Sequence, residues 1–246
     1  MLTLKGGAPF QLAKAVSQRA QQVTSRQLSA EDSPEITLYA FDGGEGVSEA
    51  HYAGETLYFG LAGAPVIRLG ASEDVLDPGD AFVVPRDAKH SLGSNAPFQL
   101  LQVTLTAGDD HSQTRHLIKG HAVNLAEAMD WAEGEVTSMT ICQCPEISLT
   151  TFALAEGTRI GAHKSSGDAL VMVLEGTAEI TVGKNLPGQG RRKFGHAAKI
   201  PHALKASEAF KMFLLVPLEL VWARCCGAFL YPLEGAAWGK EILYRG

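Results

Sequence analysis

Two stretches of this chain read almost alike. Residues 34–41 are PEITLYAF and residues 145–152 are PEISLTTF, 111 positions later. The likeness extends upstream, where Leu12-Ala13-Lys14-Ala15-Val16 matches Leu125-Ala126-Glu127-Ala128-Met129 and Val23-Thr24-Ser25 matches Val136-Thr137-Ser138. Downstream, both copies pass Glu-Gly (Glu45-Gly46, Glu156-Gly157) and reach Ala-His (Ala50-His51, Ala162-His163). Both then run through paired glycines (Gly63 and Gly176, Gly70 and Gly183) to a second histidine, His90 or His202, eight residues before Phe98 or Phe210. So many matches in order, with only small insertions, mean one unit built twice. A repeat of this kind limits the fold more than any local propensity does.

The unit reads as β structure. Its lead-in, Phe10 to Gln22 and Val123 to Glu133, has loose helical spacing and predicts a short helix or turn. Then come strands: Glu35 to Phe41, Glu146 to Leu154, Thr56 to Leu61, Ala169 to Leu174, Ala178 to Val182, Ala81 to Val84 and Phe98 to Leu105. They are rich in β-branched and aromatic residues. Thr56 to Leu61 and Ala169 to Leu174 are apolar on both parities, as in strands buried on both faces. Asp77-Pro78-Gly79-Asp80 has the residues of a tight turn. Short strands at close spacing between Gly and Pro predict a sandwich or barrel. With 246 residues the chain has room for two such units, expected at 1–108 and 122–217. The polar, His-containing stretch 109–121 reads as the linker, and the apolar tail 218–246 is expected to cover a barrel or form a dimer contact.

Composition excludes some classes. A net charge of −6 is the wrong sign for a nucleic-acid binder, whose affinity rests on Lys and Arg against phosphate. Met212 to Leu233 is apolar and long, but Glu219, Arg224, Pro217 and Pro232 make a membrane-spanning helix costly. The N-terminus lacks the apolar core of a signal peptide. Four cysteines are too few for a disulfide framework in a chain this long. The expected setting is therefore the cytoplasm.

These residues resemble the cupin superfamily, in the bicupin form with two double-stranded β-helix (jelly-roll) barrels. The family's second motif resembles G-x5-P-x-G-x2-H-x3-N. Gly79, Pro85 and His90 fit it, with Asp87 where Gly is usual. The second copy keeps Ile200-Pro201-His202-Ala203-Leu204 and has Arg191 and Ala197 at the Gly and Pro positions. The stretches GAHKSSGDALVMVLEGTAEITVG and IPHALKASEAFKMFLLV look like small conserved-barrel cupins of uncharacterised function. The resemblance implies an all-β fold and a divalent transition metal, Fe, Mn, Ni or Zn, held by three His and one Glu.

Against that set this sequence is eroded. The family's His-x-His is Glu49-x-His51 in the first copy and Gly161-x-His163 in the second. Counted forward from the histidine, the carboxylate position falls on Glu55 or Asp168. Counted back from Gly63 or Gly176 it falls on Thr56 or Ala169, and a one-residue shift turns a strand side chain to the other face. The candidate metal residues are His51, His90, Glu49 and Glu55 in the first copy, the better supplied of the two, and His163 and His202 in the second. Tyr58 and Phe82, with Tyr52, are candidate pocket residues. Either these side chains hold a metal, or the imidazoles serve without one as donors and acceptors for a small ligand. Cys142-x-Cys144 would put both thiols on one face of a strand and reads as structural, as does Cys225-Cys226. Arg191-Arg192-Lys193 reads as a solvated turn, and His111, His116 and His121 as surface residues. The expected function is binding of a small molecule by degenerate metal sites. The alternative is a metal-dependent dioxygenase or isomerase acting on a small organic acid or sugar, and the sequence leaves catalysis itself open. A homodimer is expected, and neither a membrane nor nucleic acid is an expected partner.

Overall fold

The computed structural model describes residues 2–4, 10–29, 34–105, 113–164, 167–183 and 200–218. The expectations for Arg191, Arg192, Lys193, His111, Cys225 and Cys226, and for the tail beyond Leu218, lie outside these residues. Among them the protein is strands and one short 3-10 helix, Leu12–Ala15. No helix among the described residues is long and apolar enough to cross a membrane.

The first barrel is made by β1 (Val23–Gln27), β2 (Glu35–Phe41), β3 (Gly46–Ala50), β4 (Thr56–Ala62), β5 (Val66–Leu69), β6 (Ser72–Val75), β7 (Asp80–Val84), β8 (His90–Gly93) and β9 (Phe98–Thr104). After β10 (Ala122–Asn124), the second follows with β11 (Val136–Cys144), β12 (Ile147–Leu154), β13 (Arg159–His163), β14 (Leu170–Gly176), β15 (Glu179–Val182), β16 (His202–Lys205) and β17 (Phe210–Pro217). In the first barrel a sheet ordered β1-β2-β9-β4-β7-β10 faces one ordered β3-β8-β5-β6. In the second, β11-β12-β17-β14 faces β13-β16-β15. All the pairings are antiparallel, the two-sheet pattern of a jelly roll.

Strand parity divides the core. Alternate residues of β2, β4, β7 and β9 point into the first barrel, where Phe41, Tyr58, Phe82, Phe98 and Leu100 form one cluster. The intervening residues, among them Leu38, Leu57, Val83, Leu101 and Val103, face the other way and join Leu149, Phe213 and Leu215 of the second barrel. A third cluster, with Phe152, Leu154, Ala169 and Phe210, fills the second barrel. Both faces of these strands are apolar because the larger sheets of the two barrels pack together.

The register corrects one detail of the repeat. Val23 lies opposite Phe41, while Val136 lies opposite Leu154, so β2 and β12 superpose two residues away from the register of the PEI motif. A shift of two keeps every side chain on its face, which is why the sequences still look alike. The cause is the hairpin: Pro145 and Glu146 form the tight turn between β11 and β12, whereas β1 ends at Gln27 and β2 begins only at Glu35.

Residues 113–121, the described part of the stretch expected to be a linker, are tied to both barrels. Thr114 pairs with Cys142, and the Gly120 amide donates to the Val83 carbonyl at 2.9 Å. His121 lies 3.3 Å from Asp74, and β10 hydrogen-bonds to β7 of the first barrel. The N-terminus mirrors this arrangement: Leu2 pairs with Ser29. Each of these straps runs along the first strand of its own barrel and gives a backbone amide to an acid of the other. The Leu2 amide donates to Asp168 at 2.9 Å and the Thr114 amide to Glu55 at 2.8 Å.

Candidate functional site

The turn after β7 aims the first site. Asp87, where the family has glycine, adopts φ 57°, a left-handed conformation that Asp tolerates better than most residues. Its amide donates to the Tyr52 carbonyl at 2.8 Å, which ties the mouth of the barrel to the turn before β8. His90, the first residue of β8, is 3% exposed. Its Nδ1 lies 3.2 Å from the Ala88 carbonyl, which can only accept, so Nδ1 carries the proton. Its Nε2 then accepts from the Tyr58 hydroxyl at 2.8 Å. The Tyr52 ring lies 6.0 Å from the imidazole.

Burial lowers the His90 pKa below its ordinary value; the Ala88 contact opposes this and the charge of His51 adds to it. Burial likewise pushes the Tyr58 hydroxyl far up, with Tyr52 adding to the effect. Both groups are neutral near pH 7. Because the His90 value is depressed in the folded state, its contribution to stability is complete above about pH 6.5 and lost as pH falls through the folded value. Nitrogen NMR of the imidazole should show a neutral, Nδ1-protonated ring that persists below pH 6.5; a ring protonated at or above that pH would contradict the assignment.

Sequence reasoning named Tyr58, Phe82 and Thr56 but missed Thr37, Gln102 and Thr104, which complete a polar wall around this pair. Thr37, Gln102, Tyr58 and Phe82 lie side by side across β2, β9, β4 and β7. Thr56 and Thr104 stand in the next row. Gln102 donates to Thr104 at 3.0 Å, and the Thr56 and Thr104 hydroxyls are 3.4 Å apart. Thr37, Thr56, Tyr58, His90 and Gln102 are all buried. The signal was available, since Gln102 shares the parity of Phe98 and Leu100. In the second barrel the same positions are Thr150, Ala169, Val171 and Leu214, so that interior is largely apolar.

The metal candidates are only partly brought together. Glu49 pairs with Lys89 at 3.0 Å. Both oxygens of Glu55 are taken, one by the Thr114 amide and hydroxyl and the other by Lys119. His51 is exposed at the mouth, next to Ala50, the β3 partner of His90. His163 and His202 lie closer together, with ring centroids 4.3 Å apart and edge to face. Their Nδ1 atoms face the Gly161 and Ile200 carbonyls at 2.8 and 3.0 Å. Asp168, the carboxylate counted from His163, receives the Leu2 amide. Among the described residues no three His, Cys, Asp or Glu side chains converge as a metal-ligand group. With Tyr58 on His90 Nε2 and both carboxylates engaged, the described residues of the first barrel do not fit a divalent cation.

No protein-family model matches the chain, and no curated protein matches its sequence. Solved structures do. A cupin 2 conserved barrel domain protein from Leptotrichia buccalis superposes with a TM-score of 0.73 at 22% identity, covering 88% of this chain and 99% of that one. Salicylate 1,2-dioxygenase from Pseudoaminobacter salicylatoxidans, as its gentisate adduct, gives 0.52 at 12% identity over 75% and 68%. These two show the fold: two tandem jelly-roll barrels. A cupin superfamily protein from Desulfitobacterium hafniense is 37% identical over 97% of its own length and 43% of this chain, with a TM-score of 0.42. The chain thus has the cupin fold, two double-stranded β-helix barrels in tandem.

Proposed function

We propose that the protein binds a small polar organic molecule in its first barrel, and that it does so without a metal. The observation that carries this reading is the buried row Thr37, Gln102, Tyr58 with His90 beside it. Burying polar groups in a barrel that apolar side chains could fill is unfavourable unless they are paired. The second barrel has Leu214 and Val171 where the first has Gln102 and Tyr58. The guest lies between Tyr58, His90 and the ring of Tyr52, with His51 at the entrance. Tyr58, whose proton goes to His90 Nε2, accepts there, and neutral His90 orients the hydroxyl.

Small organic acids and monosaccharides, assayed by native mass spectrometry and thermal shift, test the proposal. A bound member should raise the melting temperature of the wild-type protein. Tyr58→Phe should weaken its binding about tenfold, the worth of one buried hydrogen bond, with the fold intact by circular dichroism. Binding unchanged in both Tyr58→Phe and His90→Gln would overturn the assignment.

The alternative, a metal-dependent enzyme, is favoured by one observation, the His163–His202 couple. Its sign would be near-stoichiometric Fe, Mn, Ni or Zn in untagged protein, lost in His163→Ala and His202→Ala.

A further inference from the structure

Away from both histidine pairs, β11 carries two cysteines two residues apart on one face. Their sulfurs are 3.2 Å apart. Cys142 is completely buried and Cys144 is 9% exposed. They lie where the two barrels meet, in the cluster that holds Leu28, Ile141 and Leu149. Glu146 and Glu55 lie close enough to Cys144 to act on its charge, as does the Arg115 guanidinium. The strand shifts register between Thr140 and Cys142, and such irregularities let a strand bend locally.

We propose that Cys142 and Cys144 form an oxidisable dithiol, converted by hydroperoxides into a disulfide within one strand. The sulfurs already touch, and closure needs them about 1 Å nearer to reach a bond of roughly 2.05 Å. Burial selects the oxidant: a hydroperoxide is small and neutral, whereas a bulky disulfide such as oxidised glutathione cannot reach sulfurs this enclosed. The pair is also asymmetric. The contact with Cys142 lowers the Cys144 pKa, with Arg115 assisting against burial and the two glutamates. That same contact, then burial, raises Cys142. Cys144, the more exposed of the two, is the attacking thiolate and the fully buried Cys142 the resolving thiol.

In the first step the Cys144 sulfur bonds to one peroxide oxygen and the O–O bond breaks. The departing alkoxide or hydroxide takes up a proton and leaves as alcohol or water, with Cys144 as the sulfenic acid. In the second, the Cys142 sulfur, giving up its proton, attacks the Cys144 sulfur and the S–O bond breaks, releasing water. Two thiols and one hydroperoxide become one disulfide, one water and one alcohol, or two waters when the oxidant is hydrogen peroxide.

The experiment uses the full chain carrying Cys225→Ser and Cys226→Ser, with hydrogen peroxide as the probe. Intact mass should fall by two hydrogens, both remaining thiols should become inaccessible to maleimide after denaturation, and dithiothreitol should restore them. Adding Cys142→Ser should leave a sulfenic acid on Cys144 that dimedone captures; adding Cys144→Ser should abolish capture at equal exposure. A chain that gains oxygen without losing the two hydrogens, or that keeps two maleimide-reactive thiols, overturns the proposal. That measurement decides the matter alone if the further serine variants do not fold.

Discussion

Phe213→Ala should lower the free energy of unfolding by about 3–5 kcal/mol. It should also leave both barrels melting in a single transition. Phe213 is completely buried on β17 and stacks on Phe59 of β4, with centroids 5.6 Å apart and planes inclined by 12°. It belongs to the second barrel by sequence and Phe59 to the first, so truncation opens a cavity in the layer that both larger sheets share. An aromatic pair of this geometry contributes about 0.5–1.5 kcal/mol beyond its buried area. Chemical denaturation followed by tryptophan fluorescence and by far-ultraviolet circular dichroism makes the measurement. Two separated transitions, or a loss below about 1 kcal/mol, would show that the barrels do not share a core.

Glu55→Ala should cost about 3 kcal/mol, because it removes one partner of an enclosed ion pair and leaves the others behind. The carboxylate is 7% exposed and holds the Thr114 amide, the Thr114 hydroxyl and Lys119 at once. Burial alone would raise its pKa. Lys119, then the Thr114 hydroxyl and amide, outweigh burial and hold it below the usual glutamate value of 4.5. A carboxylate depressed in the folded state adds stability that is complete above the unfolded value and disappears as pH falls through the folded one. The gap in unfolding free energy between wild type and Glu55→Gln should therefore be widest above about pH 4.5 and close below it. A gap that stays constant from pH 7 to pH 3 would mean that the acid is not ionised in the native protein.

Much of the fold was legible because duplication prints the same parity twice. Strands apolar on both faces, as in Thr56 to Leu61, announced burial on both sides, and the structure shows the two interiors responsible. The two-residue slip of the PEI motif was not legible, since a slide of two preserves the alternation on which any such alignment rests. His90 and His202 were found by spacing, and both are buried. The fate of Glu55 was hidden. It depends on Thr114 and Lys119, about sixty positions away, in a stretch whose polarity resembles that of a loose connection. Gln102 and Thr104 belong to a strand that reads as ordinary core, and only the cross-strand register places them beside Tyr58.

The crossing of the two straps has a consequence for dissection. If the chain were severed between Leu105 and Gln113, the leading fragment would lose the residues that satisfy Glu55, together with β10. The trailing fragment would lose the Leu2 amide that satisfies Asp168. Each fragment thus carries what its counterpart lacks, and co-expressed fragments should reassociate by complementation rather than persist as two independent monomers.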